Sequence, residues 1–260
     1  VLYTAEALEE TTHFYSPPAG EKATYFWDVT TTVGDYVVDS VNGPFSFAVD
    51  PERPVAEGNV LLDAPLAGTP AAGTGKLLVN EHAQPAPGPD GGEKGALAFD
   101  GQATKLVYEI GAFPARDFSL SVWFAADNLG STTSDWHHIF SAWSQSSDDP
   151  LRVSVQNGQL VVNIEQAGGG YHCGGPALVE GAWTHLAVVK ESGQLRLYVN
   201  GVLSHEIAVG ADTLTSATTV GLGCNPNYSK LEGFEGRIAD VKFYAGALTD
   251  AAIQRLGELR

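Results

Sequence analysis

Short runs in which apolar and polar residues alternate, closed off by turn residues, are the feature that most restricts the fold of this chain. Two pairs of such runs are each joined by Asn-Gly. LRVSVQ and QLVVNIE meet at Asn157 and Gly158, and QLRLYV and VLSHEI meet at Asn200 and Gly201. Because Asn and Gly accept the positive φ of a type I′ turn, each pair predicts a two-stranded antiparallel hairpin.

The same period of two recurs over most of the remaining chain. Further strands are predicted at Ala96–Asp100, Lys105–Glu109, Asp117–Ala126, His137–Trp143 and Gly236–Tyr244. One amphipathic segment follows them, with Thr249 as a suitable N-cap and Gly257 as its end. These patterns predict an all-β fold with a short C-terminal helix.

The first 58 residues form a separate region of the sequence. Strands are predicted at Ala23–Thr32 and Phe45–Val49, whereas two prolines in PERPVAEGN prevent a regular strand after them. We therefore expect a small β-domain fragment over 1–51, a linker over 52–58 and a large sandwich over 59–260.

The charge of the chain excludes one class of partner. Its formal net charge is -17, which repels a phosphate backbone, so nucleic acid is not expected to bind. Acidity of this kind serves solubility or attracts divalent cations, and the sequence leaves both open. No apolar run reaches the roughly 20 residues of a membrane span, so no membrane insertion is expected. The chain starts at Val1 and contains no Met, which suggests a processed piece of a longer protein.

Two cysteines occur, both in Gly-rich segments that read as loops. Cys173 lies in GGGYHCGG and Cys224 in GLGCNPN. Two scarce cysteines in matching loops favour one disulfide and an oxidising compartment, with two free thiols as the alternative.

Five segments together resemble a known family, in the same order and at similar intervals. They are GALAFDG at 95–101, FSLSVWF at 118–124, AWTHLAVV at 182–189, LRLYVNG at 195–201 and FEGRIADVKFYAGALTDAAIQRL at 234–256. They resemble the laminin G-like, concanavalin A-like lectin domains of bacterial secreted proteins. The resemblance implies a jelly-roll sandwich of two antiparallel sheets in a secreted or cell-surface protein. TYFWDVTTT and GPFSFAV, near the start of the chain, resemble the closing strands of a fibronectin type III-like domain.

Relatives with this fold include β-glucanases, which carry a Glu-x-Asp-x-x-Glu strand. The chain has no such strand, since Glu165 in VVNIEQ and Glu109 in LVYEI each stand alone. Glycoside hydrolysis needs two carboxylates across the scissile bond. We therefore predict that the protein is not an enzyme, with a glycoside hydrolase as the less favoured alternative.

Aromatic and polar residues near the predicted loops are the best candidates for ligand binding. A sugar ring stacks its C–H face on an aromatic ring, while Asn and His bond its hydroxyl groups. Ordinary packing is the alternative for each of them, and His138 in particular also fits a buried strand histidine. His185 is predicted to be structural. The candidates are Trp136, His138, Trp143, Tyr171, His172, Asn225 and Tyr228.

The resemblance also implies a calcium ion where the final strand crosses the start of the sandwich. The matching residue is Asp240 in IADVKFY, with Asp100 and Asp63 as helpers. Calcium takes six to eight oxygen ligands, which carboxylates and loop carbonyls supply. The alternative is that Asp240 and Asp100 hold turns through their own hydrogen bonds.

These observations favour a non-catalytic carbohydrate-binding module of a larger secreted or cell-surface protein, with a polysaccharide or glycan as its partner. The alternative from a different class is a structural module that binds other surface proteins or itself.

Overall fold

The computed structural model describes four strands in the first 53 residues and then residues 59–129, 136–143, 149–166, 169–226 and 232–258. The chain divides into two compact units, Val1–Arg53 and Pro54–Arg260. No helix in these described ranges is long and apolar enough to span a membrane.

The first unit contains two antiparallel strand pairs. Its strands are β1 (Ala23–Trp27), β2 (Thr30–Val33), β3 (Tyr36–Asp39) and β4 (Phe45–Val49). Strand β1 pairs with β4, and β2 pairs with β3. The single strand predicted from Ala23 is thus two strands, and a fibronectin type III-like fold for this unit stays a prediction.

The second unit is a β-sandwich that ends in a short helix, α1 (Asp250–Leu256). Its strands are β5 (Val60–Ala64), β6 (Lys76–Glu81), β7 (Gln84–Ala86), β8 (Ala96–Asp100), β9 (Lys105–Glu109), β10 (Phe118–Ala126), β11 (His137–Ala142), β12 (Leu151–Gln156), β13 (Gln159–Gln166), β14 (Gly169–Ala177), β15 (Trp183–Glu191), β16 (Gln194–Val199), β17 (Val202–Ala208), β18 (Thr219–Leu222) and β19 (Glu235–Ala245).

Two antiparallel sheets form the layers of the sandwich. The eight-stranded sheet has the order β17-β16-β15-β10-β19-β8-β7, with β5 also paired to β19. The seven-stranded sheet has the order β14-β13-β12-β11-β18-β9-β6. Neighbours far apart in sequence, such as β18 and β9, give the jelly-roll connectivity. The predicted all-β sandwich with a C-terminal helix is therefore confirmed.

The core lies between the two sheets because the strands alternate as their sequences require. In β10, Phe118 and Leu120 are fully buried among core residues. Val153 and Val162 face them from the seven-stranded sheet and are equally buried. Burying an apolar side chain such as Phe, Leu or Val stabilises the folded state by roughly 1.5–3 kcal/mol.

The Asn-Gly turns adopt the predicted backbone. Asn157 and Gly158 have φ values of 50° and 72°, and Asn200 and Gly201 have values of 50° and 78°. Next to each turn the strands therefore have the register that a two-residue turn imposes, and the second hairpin then shifts register between Leu197 and Tyr198.

Helix α1 covers the outer surface of the eight-stranded sheet. Ile253 and Leu248 pack against Ala187 and Val189 of β15. Thr249 accepts a hydrogen bond from the amide of Ala252 at 3.3 Å, as its predicted capping role requires. Within the described residues, the seven-stranded sheet has no helix over its outer face.

The predicted disulfide is wrong, since Cys173 and Cys224 are both free and buried. The segment around Cys173 is not a loop but strand β14, at the edge of the seven-stranded sheet. Cys224 follows β18, and three strands lie between β14 and β18. Four interstrand steps amount to about 19 Å, whereas a disulfide needs Cα atoms about 4.4–6.8 Å apart.

Candidate functional site

A row of side chains crosses the outer face of the seven-stranded sheet. Directly opposed residues share a face in antiparallel strands, and the register links one residue of each strand to the next. From the edge inward the row contains His172, Asn163, Arg152, Ser141 and Gly221. We refer to these five residues as the outer row.

The hairpin turn at Asn157 and Gly158 sets the centre of the outer row. It pairs Arg152 of β12 with Asn163 of β13. The next pair along, Val153 and Val162, points into the core. Alternation then directs Arg152 and Asn163 outward.

Arg152 is held by aromatic rings and by carboxylates. Its guanidinium carbon lies 5.7 Å from the ring centre of Trp136 and 5.4 Å from that of Trp143. Its Nη2 is 3.4 Å from Oε1 of Glu165, and its Nε forms an ion pair with Asp149. Arginine over tryptophan is the most favourable cation–π arrangement among side chains. The guanidinium therefore fixes both indoles on this face.

Asp149 and Glu165 form a hydrogen-bonded carboxyl pair beside Arg152. Only 1% of Asp149 is exposed, and burial is the largest cause of its raised pKa. The hydrogen bond to Glu165 raises the pKa further, while the charge of Arg152 opposes the change. Two carboxylates in contact cannot both ionise without repulsion, so the pair tends to keep one proton.

The outer end of the row has a defined hydrogen-bond polarity. His172 Nδ1 lies 2.8 Å from Oδ1 of Asn163, and since that oxygen only accepts, Nδ1 carries the proton. The His172 ring packs edge-on against Trp136 at 6.5 Å. Asn163 Nδ2 and Ser141 Oγ are buried and have no partner among the described residues. Buried polar groups are normally satisfied, so these two atoms are candidates to hydrogen-bond a ligand.

A second layer lies beside the row, around His138. This ring is fully buried, with Nδ1 at 2.7 Å from Ser154 Oγ and Nε2 at 3.2 Å from Oε2 of Glu232. Asn225 Nδ2 donates to the same Glu232 oxygen at 2.9 Å. Burial lowers the pKa of His138, which keeps the ring neutral. Burial alone would raise the pKa of Glu232, but the bonds from His138 and Asn225 outweigh it and lower that pKa.

The family whose sequence profile matches is described as the concanavalin A-like lectin/glucanases superfamily, over residues 99–254. That is more than half of the chain. This chain belongs to that superfamily.

Solved structures with the same concanavalin A-like fold include three toxin domains. The ligand-binding domain of botulinum neurotoxin serotype D, in complex with N-acetylneuraminic acid, is 13% identical with a TM-score of 0.62, over 78% of this chain and 51% of that one. The receptor-binding domain of botulinum neurotoxin D is 14% identical with a TM-score of 0.61, over 76% of this chain and 52% of that one. The binding domain of Paraclostridial Mosquitocidal Protein 1 is 14% identical with a TM-score of 0.61, over 77% of this chain and 52% of that one.

At such identities the likeness establishes the fold alone. The chain spans about half the length of these domains. A search of curated proteins returned no match.

In this concanavalin A-like domain, three of the predicted ligand residues come together. Trp136, Trp143 and His172 gather around the outer row. His138 and Asn225 are instead buried and both contact Glu232, so they position that carboxylate.

Tyr171 and Tyr228 complete the predicted set. Tyr171 packs against the core, because it alternates with His172 along β14 and so faces inward. The proposed role for Tyr171 in ligand binding is therefore not supported. Tyr228 lies outside the described residues.

Sequence reasoning missed Arg152, Asp149, Asn163 and Ser141. The signal for Arg152 and Asn163 was available, because the Asn-Gly turn fixes which residues of the hairpin are paired and alternation fixes their face. Asp149 carried no such signal, since its role depends on burial against Glu165.

The three predicted calcium ligands do not form one site. Asp63 and Asp240 both pair with Lys242, whose Nζ lies 3.6 Å from Oδ1 of Asp63 and in direct contact with Asp240. The single ammonium group offsets one of the two negative charges, and a calcium ion bound by both carboxylates would have to displace it. The described ranges contain no cluster of three or more His, Cys, Asp or Glu residues that could hold a metal.

Asp100 lies elsewhere and holds a turn. It pairs with Glu235, five residues from Asp240 along β19, or about 16 Å in an extended strand. Its Oδ1 accepts hydrogen bonds from the amides of Gln102, Ala103 and Thr104. Burial is the largest single effect on its pKa and raises it, but the hydrogen bonds together outweigh burial and hold the pKa below its usual value. The alternative of a turn-holding aspartate is therefore confirmed for Asp100.

Proposed function

We propose that the domain is a non-catalytic carbohydrate-binding module whose binding face is the outer row with Trp136 and Trp143. The observation that carries the proposal is a cluster on the outer face of the seven-stranded sheet. It contains two indoles, one guanidinium and two polar atoms that have no partner in the described part of the chain. We place it in a larger secreted or cell-surface protein, as the family resemblance suggests.

The chemistry of the cluster suits a sugar. Indole surfaces stack on the C–H face of a pyranose ring, and amide, hydroxyl and guanidinium groups bond its oxygens. Asn163 Nδ2 and Ser141 Oγ, which have no partner among the described residues, would gain one from the sugar. Because Arg152 already orders both tryptophans, little side-chain entropy remains to be lost on binding.

The fold relatives support a binding role. One of them was solved with N-acetylneuraminic acid, and the others are described as receptor-binding or binding domains. These descriptions concern domains about twice as long as the matched region, so they support the class of function and not the ligand.

The geometry of the carboxylates supports the absence of glycosidase activity. Asp149 and Glu165 are hydrogen-bonded to each other, whereas a retaining glycosidase separates its two carboxyl groups by about 5 Å and an inverting one by more. Glu109 lies on β9, four strand steps from Glu165 on β13, and pairs with Lys76. These arrangements favour a non-catalytic module over a glycosidase.

The proposal is tested by screening the domain on an array of plant, bacterial and animal glycans and measuring the affinity of each hit by calorimetry. Trp136→Ala and Trp143→Ala should each weaken binding at least tenfold. Trp183→Ala is the matched control, because Trp183 stacks on Arg237 in the other sheet. Equal loss in the control variant, or no glycan bound by the wild type at millimolar concentration, would contradict the proposal.

A second candidate, self-association or protein binding, is favoured by one exposed edge. Strand β17 ends the eight-stranded sheet, and its Val202 and Leu203 are 69% and 49% exposed. Exposed apolar edge strands are templates for strand addition. Size-exclusion chromatography of the wild type and of Leu203→Lys tests it: a dimer that the variant abolishes supports this candidate, and a monomer at all concentrations opposes it.

A further inference from the structure

The charges around Arg152 limit what the outer row can bind. Asp149 and Glu165 pair with two of its nitrogens, and Glu232 is close enough to interact with the same guanidinium electrostatically. Two carboxyl groups therefore contact one positive charge, and a third interacts with it at longer range. Even with a proton on Asp149, two negative charges oppose one positive charge.

The outer row contains no second Lys or Arg to receive an anionic ligand. His172 is the remaining titratable member, and it is committed through Nδ1 to Asn163. The formal net charge of -17 adds a long-range repulsion of the same sign.

The hydrogen-bonding groups that remain are mostly donors. Within the described residues, Asn163 Nδ2 and Ser141 Oγ have no partner, and both can donate. Asn163 and Ser141 are 7% and 0% exposed. Donors in this setting call for acceptor oxygens, which hydroxyl groups and acetamido carbonyls supply without a charge.

We infer that the outer row binds an uncharged oligosaccharide and rejects carboxylated sugars such as sialic and uronic acids. This inference rests on the proposed carbohydrate-binding function. Seating a carboxylate beside Glu165 and Glu232 would place like charges in a partly desolvated site, with Arg152 already neutralised. The ligand of this domain would then differ in charge from the N-acetylneuraminic acid bound by its fold relative.

The test compares neutral oligosaccharides with their carboxylated counterparts at one ionic strength. Suitable pairs are N-acetyllactosamine with its sialylated form, and galactose oligomers with galacturonate oligomers, beside the hits of the array. We expect a neutral glycan to bind and its carboxylated counterpart to bind at least tenfold more weakly. Higher salt should reduce the difference, because it screens the repulsion.

Two variants assign the discrimination to the named carboxylates. Glu165→Gln and Glu232→Gln should each reduce the difference in affinity several-fold, and Glu232→Gln does so without removing an ion pair of Arg152. Glu109→Gln, on the same sheet but outside the row, should leave the difference in affinity unchanged. A carboxylated glycan bound as tightly as its neutral counterpart would overturn the inference and leave the proposed function standing. Failure of every glycan to bind would end both.

Discussion

His185 shows how burial alone can set the charge of a side chain. It is fully enclosed under the C-terminal helix, with its Nε2 at 2.9 Å from Ser121 Oγ and its ring 5.2 Å from Trp123. Burial lowers its pKa to about 4, while Asp240 raises and Lys242 lowers it by smaller amounts. The predicted structural role of His185 is confirmed, and so the ring must remain neutral in the folded state.

The first prediction is that acid destabilises the domain through His185. Its pKa is about 4 when folded and about 6.5 when unfolded, so the unfolded state takes up the proton first as pH falls. The stability that depends on neutral His185 is complete above pH 7 and declines between pH 6.5 and pH 4. We expect a loss of about 2 kcal/mol between pH 7.5 and pH 5 from this residue.

His185→Gln tests this prediction in urea unfolding at both pH values. The amide can still bond Ser121 but does not titrate, so the variant should lose about 2 kcal/mol less on acidification. His205→Gln, at an exposed position of β17, is the control. An unchanged pH dependence in His185→Gln would refute the assignment.

At the scale of elements, helix α1 is stabilised by its packing more than by its own seven residues. Its N-cap, its contact with β15 and the hydrogen bond from Trp123 Nε1 to the carbonyl of Leu256 tie it to the eight-stranded sheet. A helix of this length is not stable alone in water. This packing covers part of the outer surface of the eight-stranded sheet, whereas no helix in the described ranges lies over the outer row.

The second prediction concerns the cap of this helix. Thr249→Ala removes the oxygen that accepts from Ala252 and should lower the free energy of unfolding by about 1 kcal/mol. Thr249→Ser keeps the oxygen and should cost much less. Urea midpoints of the two variants give the comparison, and equal losses would mean that the methyl group matters and not the cap.

At the scale of the whole molecule, the jelly-roll order places the two cysteines on strands that are not neighbours. Burial raises the pKa of Cys173, and it raises that of Cys224 to about 12. Both thiols are therefore protonated and unreactive in the folded domain.

The third prediction is that both thiols react only after unfolding. In denaturant without reductant, iodoacetamide should add two groups per chain, and the native protein should take up almost none over the same time. Intact mass measures the number. If the unfolded chain takes up label only after reduction, the two cysteines are joined by a disulfide and this prediction is wrong.

The fourth prediction concerns calcium. Binding at Asp240 stays a prediction of the family resemblance, but an ion would have to displace Lys242 from Asp63 and Asp240. We therefore expect the melting temperature of the wild type to be the same in calcium and in chelator. A rise of several degrees in calcium that Asp240→Asn removes would establish the site after all.

The sequence by itself determined the strands, the two hairpins and the helix cap, because alternation, Asn-Gly turns and capping residues act over a few neighbouring positions. It also pointed to Trp136, Trp143 and His172 as candidates, since aromatic residues beside turns can be recognised without a fold. Only the tertiary structure decided which side chains share a face, and it brought Arg152 onto both tryptophans. It likewise buried His138, placed Lys242 between two aspartates and separated the cysteines. These features depend on contacts between strands distant in the chain, which local patterns do not encode.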